Sequence, residues 1–233
     1  MAISFLPSNQ VIGVFGIRPY RFMDAISKQN IHIWQILPLN PAGYGNSPYQ
    51  PYSSFAGDEI YISLDTLADY GLIKQSSVRN FNKFSDAVDF EGVRAFKEPY
   101  FRKAYKTFLK NFHQFEKEYQ LFCSTAEWLY PYAVFIVLKR KNENKPWQEW
   151  KKEERDWIDS RQLSLEDMED EIKYHQFLQF IFYKQWNDIK KYAEKHHVKI
   201  LGDIPFYVGL DSADVWQYKN QFLLDENGYP SFV

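Results

Sequence analysis

The sequence is poor in the features that mark export and disulfide bonding. It holds one cysteine, Cys123, which cannot form an internal disulfide and which we expect to be a buried thiol. Residues 1–7 lack the basic and long apolar regions of a signal peptide, and nowhere do 18 apolar residues run together. These absences predict a cytoplasmic protein with no membrane partner.

Excess charge and the common enzyme motifs are missing as well. The net charge is only -2, from 28 basic and 30 acidic residues, so a nucleic-acid partner has no electrostatic support and a neutral ligand fits better. There is no Gly-rich phosphate loop, H-E-x-x-H, paired C-x-x-C or G-x-S-x-G motif. The five histidines are scattered except for the adjacent His196 and His197, whose side chains would face apart on a helix. We therefore predict no metal site.

Aromatic residues are abundant. They make up 19% of the chain, with 20 Phe, 17 Tyr and 7 Trp against only 10 Gly. Most of these rings should fill the core, because aromatic side chains bury large areas. A surplus of exposed Tyr and Trp would also suit a sugar-binding protein, since sugars present apolar C–H faces between their hydroxyls.

The hydrophobic pattern indicates an α/β protein. Residues 31–39 read as a buried strand, residues 198–205 as a strand and its exit loop, and residues 60–62 as a further short strand. Helical spacing covers residues 21–28, 131–141 and 171–196. An aromatic stripe at Phe101, Tyr105, Phe108, Phe112, Phe115, Tyr119 and Phe122 predicts a helix from Pro99 onward, packed within one domain or, less favoured, self-associating. A helix followed directly by an apolar strand is half of a parallel βα repeat.

Two loops carry residues suited to ligand binding. Residues 38–57 follow a strand and combine Pro and Gly with Tyr, Asn, Ser and Gln, although an ordinary structured loop would explain them equally well. The second loop, residues 202–216, places Asp203 at a strand exit, where α/β proteins bind ligands. Asp211 or Ser212 within it is better explained as the N-cap of a following helix.

These loops carry a family resemblance. Trp-Gln-Ile-Leu-Pro-Leu at 34–39 and Gly-Tyr-Gly-Asn-Ser-Pro-Tyr-Gln at 43–50 resemble the signature of the amylomaltase and disproportionating-enzyme family of 4-α-glucanotransferases. Gly-Asp-Ile-Pro-Phe-Tyr-Val at 202–208 and Asp-Ser-Ala-Asp-Val-Trp at 211–216 resemble that family's barrel-strand motif. The match is collinear and includes Lys-Pro-Trp-Gln-Glu-Trp at 145–150, so it covers essentially the whole chain.

The resemblance implies an α/β fold with a partial (β/α)₈ TIM barrel and a large inserted helical subdomain. It assigns residues 1–70 to the first barrel strands and glucan-binding loop, 71–170 to the inserted subdomain, and 171–233 to the return to the barrel. We expect the chain to be truncated after residue 233, since a barrel cannot close within it.

The implied activity is transfer of α-1,4-glucan segments between maltooligosaccharides by a retaining double displacement, without a cofactor. The nucleophile and acid/base of such enzymes lie on later strands, so we expect no catalytic residue here. For substrate binding, Asp203 matches an aspartate of the donor subsite, Tyr49 matches a tyrosine beside it, and Ser47 lies next to Tyr49. Tyr44 resembles a tyrosine of a second glucan site. The alternatives are a non-catalytic glucan-binding or vestigial protein, and a helical scaffold with a chance motif.

Overall fold

The structure, a computed structural model, describes residues 1–79 and 88–231. The chain forms two compact units that alternate along the sequence. The first unit comprises Met1–Leu39, Gly57–Leu121 and Leu178–Ile204, and the second comprises Asn40–Ala56, Phe122–Phe177 and Pro205–Val233. The predicted division into barrel segments (1–70 and 171–233) and an inserted helical subdomain (71–170) stays a prediction.

Helices dominate the described residues. They are α1 (Ile17–Ser27), α2 (Leu64–Asp69), α3 (Phe90–Lys110), α4 (Glu116–Thr125), α5 (Leu129–Lys141), α6 (Lys152–Arg155), α7 (Trp157–Ser160), α8 (Glu169–Lys195) and α9 (Ala213–Gln217). The two strands are β1 (Ile33–Gln35) and β2 (Lys199–Leu201). No single helix in the described ranges is long and apolar enough to cross a membrane, although the bent pair of α4 and α5 passes that test jointly.

The two strands pair in parallel in the first unit, as half of a βα repeat predicts. Ile33 lies opposite Lys199, and Gln35 lies opposite Leu201. Both strands are shorter than the sequence pattern indicated, and only one face of β1 is buried, because Trp34 is 2% exposed whereas Ile33 is 60% exposed. The partial barrel stays a prediction.

Two predictions of secondary structure are wrong in detail. Residues 60–62 are not a strand: Glu59–Tyr61 forms a 3-10 helix, because the Asp58 carboxylate caps it by accepting a hydrogen bond from Ile60 N. The aromatic helix begins at Phe90 rather than at Pro99. Its N-cap is Asp89, whose side chain accepts a hydrogen bond from Gly92 N. The helix also breaks after Lys110, so that the rings of Phe108 and Tyr119 meet at 5.3 Å.

The first unit has a buried aromatic centre at Phe15. Its ring contacts those of Tyr61, Phe182 and Trp186 at centroid distances of 5.7, 5.1 and 5.5 Å. Phe15 is fully buried and Phe182 nearly so. Contacts of this kind hold α8 against the chain around residues 15 and 61.

A buried ionic cluster lies in the same unit. Arg94 binds both carboxylate oxygens of Asp58, at 2.8 and 2.7 Å, and one oxygen of Glu59 at 3.0 Å. Lys97, one turn further along α3, is fully buried and donates to the carbonyl oxygens of Ile60 and Ile62 at 2.5 and 2.9 Å. The two basic side chains of α3 therefore fix the 3-10 turn before α2.

The core of the second unit is built from tryptophans. Trp147, Trp150, Trp157 and Trp216 are each at most 4% exposed, and the rings of Trp157 and Trp216 stack at 6.1 Å. Each indole N–H donates to a backbone carbonyl, as burial of this polar group requires. Much of the aromatic surplus is therefore core, as expected. Cys123, expected to be buried, is only partly so.

Candidate functional site

The loop at residues 41–52 in the second unit is closed on itself. Gly43 N donates to the Gln50 carbonyl oxygen at 2.9 Å, and Tyr52 N donates to the Pro41 carbonyl oxygen at the same distance. A Cβ on residue 43 would lie 2.6 Å from the Gln50 oxygen, so this crossing of backbones requires glycine. The loop between these bonds thus has a fixed shape.

Helix α9 anchors the end of this loop. Ala213 N donates to the Tyr52 carbonyl oxygen at 2.8 Å. The buried Asp214 carboxylate accepts from Ser54 N at 2.6 Å and from the Ser53 hydroxyl at 3.3 Å. The loop is therefore held by a buried, charge-assisted contact as well as by its own backbone.

Beside the loop lies a cavity of about 750 Å³. Its walls are three chain segments of the second unit, and the lining residues are Gly43, Ser47, Tyr49, Gln50, Pro51, Tyr52, Asn144, Pro146, Tyr207, Val208, Gly209, Leu210 and Asp211. Tyr49 and Tyr207 are 42% and 85% exposed, so both rings are accessible to a ligand. Aromatic faces next to hydroxyl and amide groups suit a neutral polyhydroxylated molecule.

Trp147 holds the wall at residues 207–211 in place through two hydrogen bonds. The Leu210 carbonyl oxygen accepts from Trp147 Nε1 at 2.8 Å, and Asp211 Oδ1 accepts from Trp147 N at 3.3 Å. Ser212 caps α9, since its hydroxyl accepts from Val215 N at 3.2 Å. Of the two N-cap candidates in the sequence, Ser212 is therefore the cap, and Asp211 faces the cavity.

The structure brings together two of the four predicted site residues. Ser47 and Tyr49 line the cavity, and the Ser47 hydroxyl accepts from Tyr49 N at 3.3 Å. Asp203 lies in the first unit just after β2, partly exposed, with its carboxylate accepting from Ile204 N at 2.9 Å. Tyr44 begins the 3-10 helix Tyr44–Asn46, and its side chain lies outside the described part of the structure.

Sequence reasoning missed Tyr207 as a site residue, although the motif around it was recognised. The signal was an aromatic pair, Phe206 and Tyr207, directly after a strand exit, where burial is not guaranteed. In the described ranges, no group of three His, Cys, Asp or Glu side chains is placed to hold a metal ion.

The chain is similar to a family of known proteins over almost its full length. The family model described as 4-alpha-glucanotransferase matches residues 1–230. A 4-alpha-glucanotransferase of Synechocystis sp. is 37% identical over 94% of this chain and 44% of its own length. That of Clostridium butyricum is also 37% identical, over 97% of this chain and 47% of its own.

A solved structure extends the similarity to the fold. The amylomaltase from Streptococcus agalactiae, solved in complex with acarbose, superimposes with a TM-score of 0.90 at 34% identity. The match covers 98% of this chain and 47% of that one. The chain thus spans less than half the length of these relatives, and it belongs to the 4-alpha-glucanotransferase family.

Proposed function

We propose that this chain supplies part of the glucan-binding surface of a 4-α-glucanotransferase. The observation that carries the proposal is the cavity of the second unit, where accessible Tyr49 and Tyr207 rings lie beside Ser47 and Gln50. A pyranose ring can stack its C–H face on a tyrosine and exchange hydrogen bonds with a hydroxyl or an amide. The ligand is an α-1,4-glucan or maltooligosaccharide.

The reaction we propose for the whole protein is a retaining double displacement. One carboxylate attacks the anomeric carbon while a second protonates the leaving oxygen, and a sugar hydroxyl in place of water then captures the glucosyl-enzyme. By family resemblance these carboxylates lie on barrel strands beyond residue 233, and residues 33–35 and 199–201 belong to the early part of that barrel. Neither redox chemistry nor a metal is needed, and we propose a cytoplasmic location.

Two further residues have proposed roles in binding. Asp203 follows a strand, and its carboxylate is partly exposed, so it can accept hydrogen bonds from two sugar hydroxyls. Tyr44 belongs to a Gly-flanked turn of the loop at residues 41–52, and we propose that it contacts glucan at a second site.

Replacing Tyr49 with alanine should weaken binding of acarbose or maltotriose to the chain about tenfold. Stacking a sugar on the ring removes roughly 60 Å² of apolar surface from water, or about 1.5 kcal/mol. Isothermal titration calorimetry gives the dissociation constant. Tyr229 is the matched control, because it belongs to the same unit, is 43% exposed against 42% for Tyr49, and does not line the cavity. Equal losses of affinity in Tyr49→Ala and Tyr229→Ala would show that the cavity does not bind glucan.

The 233-residue chain on its own should release no glucose from maltotriose. Retaining transfer needs a nucleophile and an acid/base on opposite sides of one bond, and the family resemblance provides neither within this chain. The measurement is glucose release with time, compared with a protein-free blank. Steady multiple-turnover release that co-purifies with the chain, and that Asp203→Asn abolishes, would show that the chain carries its own catalytic carboxylate.

A further inference from the structure

The walls of the cavity come from distant parts of the chain, so contacts between the segments must hold them in place. The lining residues lie within three segments, 43–52, 144–146 and 207–211, which have little regular secondary structure. Lys139 in α5 does not line the cavity and is 2% exposed. Burying an ammonium group costs free energy unless each of its protons meets an acceptor, so the contacts of Lys139 show which groups compensate for its burial.

The Lys139 ammonium contacts all three walls. It donates to Asp211 Oδ2 at 2.6 Å, and to the carbonyl oxygens of Asn144 and Lys145 at 3.1 and 3.2 Å. These three acceptors match its three N–H donors. The same nitrogen lies 5.1 Å from the centre of the Tyr52 ring, which belongs to the third wall.

The turn after α5 supplies two of the three acceptors. Glu143 and Asn144 both have left-handed backbone conformations, with φ of 55° and 62°, which side-chain-bearing residues adopt at a cost. The turn directs the carbonyl oxygens of Asn144 and Lys145 to one point, and the ammonium occupies that point. The ammonium also balances the charge of the Asp211 carboxylate, whose side chain is 33% exposed at the cavity wall. The cavity thus presents a paired carboxylate to a neutral ligand.

We propose that Lys139 is a positioning residue for this cavity, joining its three walls through one buried ammonium without touching the ligand. The identity of the ligand rests on the proposed function, whereas the link between the walls does not. A single side chain in α5 then preorganises the shape of a site built from loops. Removing the Lys139 ammonium would weaken ligand binding, although no direct contact with the sugar would be lost.

Lys139→Met tests the proposal, because methionine keeps the apolar length of the side chain and removes the charge. We expect the dissociation constant for acarbose to rise about tenfold or more. Lys141→Met is the matched control: it lies in the same helix and breaks a 2.8 Å ion pair with Glu154, whose side chain is 2% exposed, yet neither residue lines the cavity. Both variants should lower the melting temperature, but Lys141→Met should keep the affinity within about twofold. A similar loss of affinity in both would mean a merely structural role for Lys139.

Amide hydrogen exchange gives a readout that needs no ligand. In Lys139→Met the amides of Asn144, Lys145, Trp147 and residues 207–211 should exchange faster than in the parent, while those of α3 stay unchanged. If the parent fails to bind acarbose, the proposed function is wrong and the exchange result still decides the role of Lys139. If Lys139→Met does not fold, Asp211→Asn tests the same 2.6 Å link with the ammonium in place, and faster exchange at residues 207–211 is expected. Unchanged exchange in the variant that folds would overturn the proposal.

Discussion

Gly57→Ala is expected to lower the free energy of unfolding by about 3 kcal/mol. A Cβ at this position would lie 2.1–2.3 Å from three atoms of the Phe182 ring. The ring cannot move away freely, because Phe182 is 2% exposed and contacts Phe15 at 5.1 Å. Residue 57 cannot move either, since its N–H and C=O both bind the Gln179 amide at 2.8 Å. Urea denaturation followed by tryptophan fluorescence measures the change.

Gly202→Ala is the matched control for this substitution. Gly202 belongs to the same unit and its backbone is not left-handed. Apart from its two chain neighbours, no described residue has an atom within 4 Å of a Cβ built there. The substitution should therefore change the free energy of unfolding by less than about 0.5 kcal/mol. Equal stability of the two variants would show that the approach of Phe182 to Gly57 is not a close one.

The stability of the first unit is expected to rise with pH, by about 1 kcal/mol per pH unit between pH 7 and 9. Burial lowers the pKa of the Lys97 ammonium from 10.5 to about 7; the charge of Arg94 acts in the same direction, and those of Asp58 and Glu59 oppose it. In this interval the unfolded chain binds a proton at Lys97 that the folded chain does not. Raising the pH removes that advantage of the unfolded state, so the fold gains stability.

Lys97→Met isolates this contribution from the other titrating groups. Methionine carries no proton, so the variant should lose the rise that the parent shows between pH 7 and 9. Urea denaturation at three pH values in this interval provides the two slopes. The interval ends at pH 9 because unfolded tyrosines begin to ionise near pH 10. Parallel slopes for parent and variant would place the pKa of folded Lys97 above pH 9, so that folded and unfolded chains both carry the proton throughout the interval.

Sequence periodicity predicted the elements whose stabilising contacts are local or repeated. Helix α8 and the segments that pair as β1 and β2 follow from apolar spacing alone. The error at residues 60–62 has a specific cause: their apolar alternation fits a strand, but Asp58 caps a 3-10 turn and Lys97 binds the carbonyl oxygens of residues 60 and 62. The start of α3 was missed because Asp89, its cap, precedes the aromatic stripe.

The candidate site was predictable only where a motif is contiguous. Ser47 and Tyr49 lie in one recognisable segment, and the structure places both in the cavity. Lys139 carried no such signal, since a lysine near the end of a helix is usually solvated, and its acceptor Asp211 lies 72 residues away. Burial and partner both depend on tertiary contacts, which periodicity does not encode.

The alternation of the two units along the chain has a consequence for synthesis on the ribosome. Strand β1 is complete at residue 35, but its partner β2 is made only at residues 199–201, after most of the second unit's chain. Likewise, the loop at residues 40–56 precedes α9 by more than 150 residues, although Asp214 and Ser54 bind directly. Early segments must therefore wait for late ones, and their apolar faces stay uncovered during elongation, when chaperones can reach them.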